Sequence, residues 1–423
     1  MRSLGALAAL LAALALACGE SPPAPPVDDG PAELPAEVPA LLIAQAQFEE
    51  SPDGSGQVVI TPGAAKLTVA TRSGDGWRAE VVEDPESNVF HKAMWFEQRD
   101  RPPGILTIAG NPAPAPALIK LWRRDPAGWR PAVLAEAAFG NRFNRFRDVE
   151  AGDLDGDGQP ELVVATHDTG VVAVLRYGDG AWTSEALDRS AATFVHEVEL
   201  GDLDGDGRLE IYATPTAPNR LDRGVQPGRI VEYSPTPAGW TAVPVEVFDD
   251  RHAKEIMVAD VDGDGRPELL AAIETAAPAG DSGLEVSIVR FDRTAAGWSS
   301  SRVADVPARG CRSLVAGDVD GDGRSEVVAG CGRSGLWLLE PGDPRWRVTR
   351  LDPSATAVET AVALADFDRD GVAEIYVAAD DRRRVLGYRA RGAGFERSEL
   401  LEIAGDAMTF GLEACFIDSA PAP

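Results

Sequence analysis

Five stretches of this chain repeat one nine-residue frame: "DLDGDGQPE" from Asp153, "DLDGDGRLE" from Asp202, "DVDGDGRPE" from Asp260, "DVDGDGRSE" from Asp318 and "DFDRDGVAE" from Asp366. Aspartate stands at positions one, three and five, glycine at six and glutamate at nine. The copies lie roughly 50 to 60 residues apart, a period that holds several short strands and predicts a propeller blade, not a shorter solenoid turn. A unit of this size cannot bury its apolar face alone. Its neighbours must stack on it, which argues against dividing the 423 residues into unrelated domains.

The flanks of each frame have a constant order. An apolar strand precedes the loop ("VEAGD", "IMVAD", "SLVAG") and another follows it ("ELVVAT", "EIYAT", "EVVAG"). A third comes next ("VVAVLRY", "RIVEY"), then a tight turn opening an alternating strand on an aromatic residue. That aromatic ladder runs through Trp77, Trp129, Trp182, Trp240, Trp298, Trp346 and Phe395, and so counts seven repeats. The bulky ring is expected to pack on a neighbouring sheet instead of holding a ligand.

Two repeats lack the acidic frame. Phe96 and Phe416 stand where the first aspartate would be, and after Phe416 the chain soon ends. The C-terminal segment is thus an inner strand without its blade, while "QVVITPGAAKLTVATRSGDGWRAEVV" supplies outer strands without an inner one. The expected fold is all-β: a seven-bladed β-propeller of four-stranded blades spanning 41–423, closed by N- and C-terminal strands that share one blade. Closure of this kind removes exposed sheet edges.

The loop chemistry points to a hard cation. In the first frame, Asp153, Asp155, Asp157 and Glu161 offer carboxylates, and Gln159 at position seven offers a backbone carbonyl. The same places are held by Asp202, Asp204, Asp206, Arg208 and Glu210; by Asp260, Asp262, Asp264, Arg266 and Glu268; by Asp318, Asp320, Asp322, Arg324 and Glu326; and by Asp366, Asp368, Asp370, Val372 and Glu374. An all-oxygen cage suits Ca²⁺ over Zn²⁺, with Mg²⁺ the lesser competitor. The alternative is a set of Asp-Gly turns that merely face water. Four like charges crowded in each loop favour the metal reading, with about five structural Ca²⁺ ions expected. Pro160 and Pro267, directly before strand-like residues, argue against the helices of an EF-hand.

Over residues 57–418 the chain resembles the FG-GAP and VCBS-type calcium repeats, the family of the integrin α-subunit propeller. The resemblance implies that the five loops bind Ca²⁺ and hold the first two strands of each blade together. Its Phe-Gly and Gly-Ala-Pro signatures are poorly kept, so the calcium loop carries most of the likeness.

The first seventeen residues join Arg2 to an apolar core from Leu4 to Ala17, too short to span a bilayer, and read as a secretory signal. The Ala17–Cys18 junction resembles the lipobox of bacterial lipoproteins, although Ala15 stands where that family prefers leucine; it implies acylation of Cys18. Ordinary signal cleavage near the same point is the alternative. Residues 18–40 are proline-rich and aperiodic, as expected of a solvated tether. The expected location is a bacterial outer membrane or cell surface, reached through the lipid anchor alone, or else the periplasm or medium. Cys311 and Cys331 flank one acidic loop at nearly equal distances, so antiparallel pairing of the flanks would bring them opposite each other, where a disulfide can form in an exported chain. Cys415 has no recognisable base beside it and is expected as a buried free thiol.

A formal charge of −28, from 68 acidic against 40 basic residues, repels nucleic acid and anionic membranes. With strand directions alternating, the calcium loops fall on one face of the disc and polar residues just ahead of the inner strands fall on the other. These are Arg147, Asp148, His196, Glu197, Lys254, Glu255, Arg312 and Thr360, with His91 in a repeat without the frame. A ring of them around the central channel could take a sugar, peptide or small anion, although strand ends are commonly polar for solvation alone. The chain has no G-x-S-x-G, H-E-x-x-H or P-loop, and His91, His167, His196 and His252 are scattered over different repeats. The expectation is a monomeric binding or adhesion module for a surface glycan, peptide or protein. One alternative is a polysaccharide-active enzyme using His196 and Glu197 as an acid–base pair; another is a non-catalytic scaffold for a complex.

Overall fold

Runs such as "ELVVAT", apolar on consecutive residues, are buried on both faces of a sheet, whereas the aromatic-led strands alternate and leave one side to water. A computed structural model describes residues 37–52, 58–74, 76–218, 225–275, 285–404 and 407–418. The signal segment 1–17 and Cys18 lie outside the described residues, as does the expected tether up to residue 36. Residues 37–40, assigned to the tether by composition, instead open the first strand.

The N-terminal strands are β1 (Glu37–Pro52), β2 (Val58–Pro62), β3 (Ala65–Ser73) and β4 (Gly76–Asp84), followed by β5 (Val89–Gln98), β6 (Arg101–Pro112), β7 (Ala117–Asp125) and β8 (Gly128–Ala137). The first acidic loop joins β9 (Phe143–Gly152) to β10 (Glu161–Thr166), which lead to β11 (Gly170–Gly178) and β12 (Ala181–Ser190). The next group holds β13 (Phe194–Gly201), β14 (Glu210–Thr216), β15 (Gly228–Thr236) and β16 (Gly239–Phe248); then come β17 (Arg251–Ala259), β18 (Glu268–Thr275), β19 (Val286–Thr294) and β20 (Gly297–Val306). The last groups are β21 (Cys311–Gly317), β22 (Glu326–Cys331), β23 (Gly335–Glu340) and β24 (Arg347–Asp352), and β25 (Val362–Ala365), β26 (Glu374–Ala379), β27 (Arg384–Arg391) and β28 (Gly394–Glu402). The C-terminal strand is β29 (Ala407–Asp418).

Each group from β13 onward is a separate four-stranded antiparallel sheet in sequence order. The groups β5–β8 and β9–β12 have the same internal order, and the terminal one runs β29-β1-β3-β4. Bonds at strand ends, Gly110 to Arg145 and Ala46 to Val89, link these three into one hydrogen-bonded path. β29 pairs with β1 from Glu37↔Asp418 to Gln47↔Ala407. The C-terminal strand takes the first place in that order, the place β5 and β9 hold in their groups. Its partner is the strand starting at Glu37, upstream of the segment in which the sequence placed the N-terminal strands.

The core lies between sheets. Val163, Val172 and Val174 of one sheet pack on Val198, Ile211 and Val231 of the next. Leu41 and Ile43 of β1 pack on Tyr376, Ala378 and Val385 of the β25–β28 sheet. β10 is buried at every position, while β12 is largely exposed. The aromatic ladder packs across these seams: Trp77 meets Phe367 and Tyr376 with ring centroids 5.9 and 6.0 Å apart, and Trp298 meets Tyr212 edge-on at 5.9 Å. Cys311 and Cys331 are directly opposite in the β21–β22 register and are joined by a disulfide. Cys415 is a free, half-buried thiol whose pKa burial pushes far up, which disfavours the thiolate.

Candidate functional site

Each acidic frame folds back on its first aspartate. The Asp153 carboxylate accepts the amides of Gly156, Asp157 and Gly158 at 2.8, 3.1 and 2.9 Å. Asp260 and Asp318 take the amides at positions four and six in the same way, and Asp202 and Asp366 those at five and six. The glycine at position six makes this turn with φ of +83° at Gly158, and close values recur at Gly207, Gly265, Gly323 and Gly371. Only glycine takes that backbone without strain. The glutamate at position nine starts the second strand and reaches back, Glu161 accepting the Leu154 amide at 2.9 Å. Thus the loop ties the two strands it joins.

The carboxylates converge. Ligand oxygens lie within 4.8 Å of one another in the sets Asp202, Asp204, Asp206, Glu210 and Asp260, Asp262, Asp264, Glu268. The other loops bring together Asp153, Asp155 and Glu161; Asp318, Asp320 and Glu326; and Asp366, Asp368 and Asp370. Asp157, Asp322 and Glu374 stand outside these sets. The position-seven residues Gln159, Arg208, Arg266, Arg324 and Val372 donate their amides to the position-five aspartate at 2.7 to 3.0 Å. Burial, and beyond it the neighbouring aspartates, push Glu210, Glu268 and Glu326 up to about 7, against the pull of their backbone amides. Arginine partly offsets the charge in two loops: Arg290 reaches Asp262 at 2.8 Å and Glu268 at 3.2 Å, and Arg389 bridges Asp368 and Asp370. Convergent oxygens on a glycine-shaped turn, with no nitrogen or sulfur donor, fit a hard divalent cation. Such an ion would supply charge neutralisation and fix the hairpin.

On the other face, a cavity of about 310 Å³ is lined by residues of several inner strands. Among them are His91, Arg147, Asp148, Glu197, Glu255 and Arg312, all expected at a channel mouth. Arg147 is buried, with its guanidinium 3.4 Å from both His91 Nδ1 and Glu359 Oε2. Arg312 pairs closely with Glu274 and lies 3.8 Å from the same Glu359 oxygen. Burial would raise Glu274, but Arg312, His252 and Lys254 outweigh it and hold the carboxyl at about 2. Burial, then Arg312, lowers Lys254 to about 8.

Thr360 does not join this site. It is fully buried at φ +52°, its hydroxyl exchanging hydrogen bonds with the backbone of Ala357, so its polarity serves a turn. His196 is also buried and does not line the cavity; its ring packs edge-on 5.0 Å from that of His167. Its neighbour Glu197 shares a hydrogen bond with Asp148, so the two do not form an acid–base pair.

A repeat-family model described as "FG-GAP-like repeat" matches residues 153–213, 260–329 and 318–377. Over these segments the chain is similar to FG-GAP-like repeats. Their matched segments begin on the first aspartate of loops one, three and four, the residue on which each turn folds. Solved structures agree on the architecture. A lectin of Agrocybe aegerita that recognises non-reducing terminal N-acetylglucosamine is 14% identical, covering 91% of this chain and 96% of that one, with a TM-score of 0.51. A candidate 6-phosphogluconolactonase of Bacteroides uniformis is 13% identical over 90% and 100% of the two chains, TM-score 0.52. A Lactobacillus plantarum protein is 9% identical over 89% and 99%, TM-score 0.54. At such identities the likeness shows the fold alone. No curated protein matches the sequence.

In the same cavity and beside it, the scaffold places charges that the sequence reading passed over. Lys92 Nζ lies 3.0 Å from Asp148 and pairs with Glu150; Glu199 and Glu413 share the same space. Burial drives Glu197 and Glu199 well above the usual carboxylate range. Several of these groups close the free edge of an inner strand. Asp148 accepts the Val198 amide at 2.9 Å, Glu255 the Leu314 amide at 2.8 Å, and Glu413 the Trp95 amide at 3.2 Å. Ser313 does the same for Val362 at 3.2 Å. The available signal was alternation: Asp148 and Glu150, or Glu197 and Glu199, put acids on one face of a strand meant for the interior. Glu359, outside any strand, gave none.

Proposed function

We propose that this protein is an exported, lipid-anchored, calcium-stabilised propeller that binds a saccharide at the mouth of its central channel and so acts as a binding or adhesion module at a bacterial surface. The ring has seven blades, closed where β29 completes the blade of β1, β3 and β4; the seam of Leu41 and Ile43 against Tyr376 and Val385 supports that closure. About five Ca²⁺ ions neutralise the loops on one face. The single observation that carries the binding reading is the cavity opposite them, where Arg147 of β9 and Arg312 of β21, from sheets not adjacent in order, converge on one carboxylate. A compact, polar, partly enclosed pocket is where a small ligand gains most from a few oriented donors. That a lectin shares the architecture makes saccharide the class to test first.

The test is a glycan array probed with the mature protein in millimolar calcium, beside an Arg147→Ala variant whose melting curve is checked. Hits that the variant loses while remaining folded support the reading. A blank array for the folded wild type overturns it.

A further inference from the structure

Arg147 and Arg312 line the cavity beside Asp148, Glu197 and Glu255, and Lys254 lies near them without lining it. Glu274 is committed to Arg312. Glu359 is shared between Arg147 and Arg312 at 3.4 and 3.8 Å, beyond good charge-assisted hydrogen bonds. Among the described residues, no ion-pair partner lies within 4.0 Å of Lys254 Nζ, although burial and Arg312 lower its pKa. Arg147 is buried, yet among the described residues its five donors find hydrogen-bond partners only in His91 Nδ1 and the Glu359 oxygen, each at 3.4 Å. Such a guanidinium is held ready for an acceptor that neither contact fully supplies.

Resting on the saccharide reading above, we propose that the mouth recognises a carboxylate borne on a sugar ring, with Arg147 as its receptor and Glu359 as a resident carboxylate that the ligand displaces. Two observations narrow the class of the ligand. It is not a peptide adding as a strand, because side chains of Asp148, Glu255, Ser313 and Glu413 already occupy inner-edge amides that β-augmentation would use. It is compact and part apolar, because the cavity of about 310 Å³ is walled by Val315, Val362, Leu412 and Phe410 beside the charges.

The experiment measures binding by calorimetry of a uronic-acid-terminated oligosaccharide and of the same oligosaccharide with its carboxyl reduced to the alcohol, in calcium, for wild type, Arg147→Gln and Glu359→Gln. The uronate is expected to bind the wild type about tenfold or more tightly than its reduced form, as a charge-assisted pair would give. Arg147→Gln removes that preference, and Glu359→Gln raises affinity for the uronate but not for the reduced sugar. Glu359→Gln keeps size and polarity, so it remains informative should Arg147→Gln fail to fold. Equal affinity for both sugars, or no gain in Glu359→Gln, overturns the proposal while leaving saccharide binding intact. Binding of an acidic peptide but of neither sugar overturns both.

Discussion

Glu413 sits on the C-terminal strand β29 and accepts the Trp95 amide at 3.2 Å, tying β29 to β5. Burial raises its pKa from 4.5 to about 7; the Trp95 amide and Lys92 pull it down, and Glu150 pushes it up. The folded protein therefore holds this proton more tightly than the unfolded chain does. A group raised in this sense contributes its full stability below about pH 4.5, and the contribution is lost as pH rises through about 7. From these two values, ionising Glu413 costs about 3 kcal/mol at about pH 8 and less than about 1 kcal/mol at about pH 5. Glu413→Gln keeps an acceptor for Trp95 and removes the titration. Relative to wild type, the variant should gain roughly 2 kcal/mol between about pH 5 and about pH 8, read from urea denaturation in saturating calcium. Parallel stability curves for the two proteins would refute the reasoning. So would equal destabilisation of the variant at both ends, which would make the side chain's shape, not its charge, the relevant property.

Two further outcomes follow from the packing. A Cβ at Gly330 would collide with the backbone carbonyl of Thr360, so Gly330→Ala should cost about 1–3 kcal/mol or more in the same denaturation assay, whereas alanine at Gly178, which meets nothing nearby, leaves the core untouched. The Cys311–Cys331 bridge spans 20 residues, and replacing both cysteines by serine should cost about 3 kcal/mol by chain entropy; a melt unmoved by this change, or by reductant on the wild type, would exclude that contribution.

Much of the scaffold was legible because its cause is local. Position-six glycine, first-position aspartate and the aromatic after the tight turn each act within a few residues, so their spacing alone gave the hairpins, the strand order and the packing role of Trp77 and Trp298. The pairing of the C-terminal strand with an N-terminal one was also readable, since Phe416 sits where a frame should begin. What was not legible depends on contacts between blades. "EVPALLIAQAQFEESP" became a long strand only because β29 lies beside it; proline at Pro35 and Pro39 made its start resemble the tether. Thr360 and His196 were placed at the mouth by their distance from the frame, yet a left-handed turn buries the first, and the register shift between Val195 and Val198 disturbs the alternation around the second. Lys92 and Glu413 meet across the channel from opposite ends of the sequence, and Glu359 reaches Arg147 over 212 residues. No periodicity carries such pairings.

The central claim is that the five acidic loops are ion sites on which the ring depends. Differential scanning of the purified protein, calcium-loaded and after exhaustive chelation, tests it most directly. Each site contributes about 1.4 kcal/mol when free calcium exceeds its dissociation constant tenfold, so the loops together supply several kcal/mol. The account predicts a large fall in melting temperature on chelation, reversed by calcium in proportion to its concentration. An unchanged melt after calcium removal would contradict it.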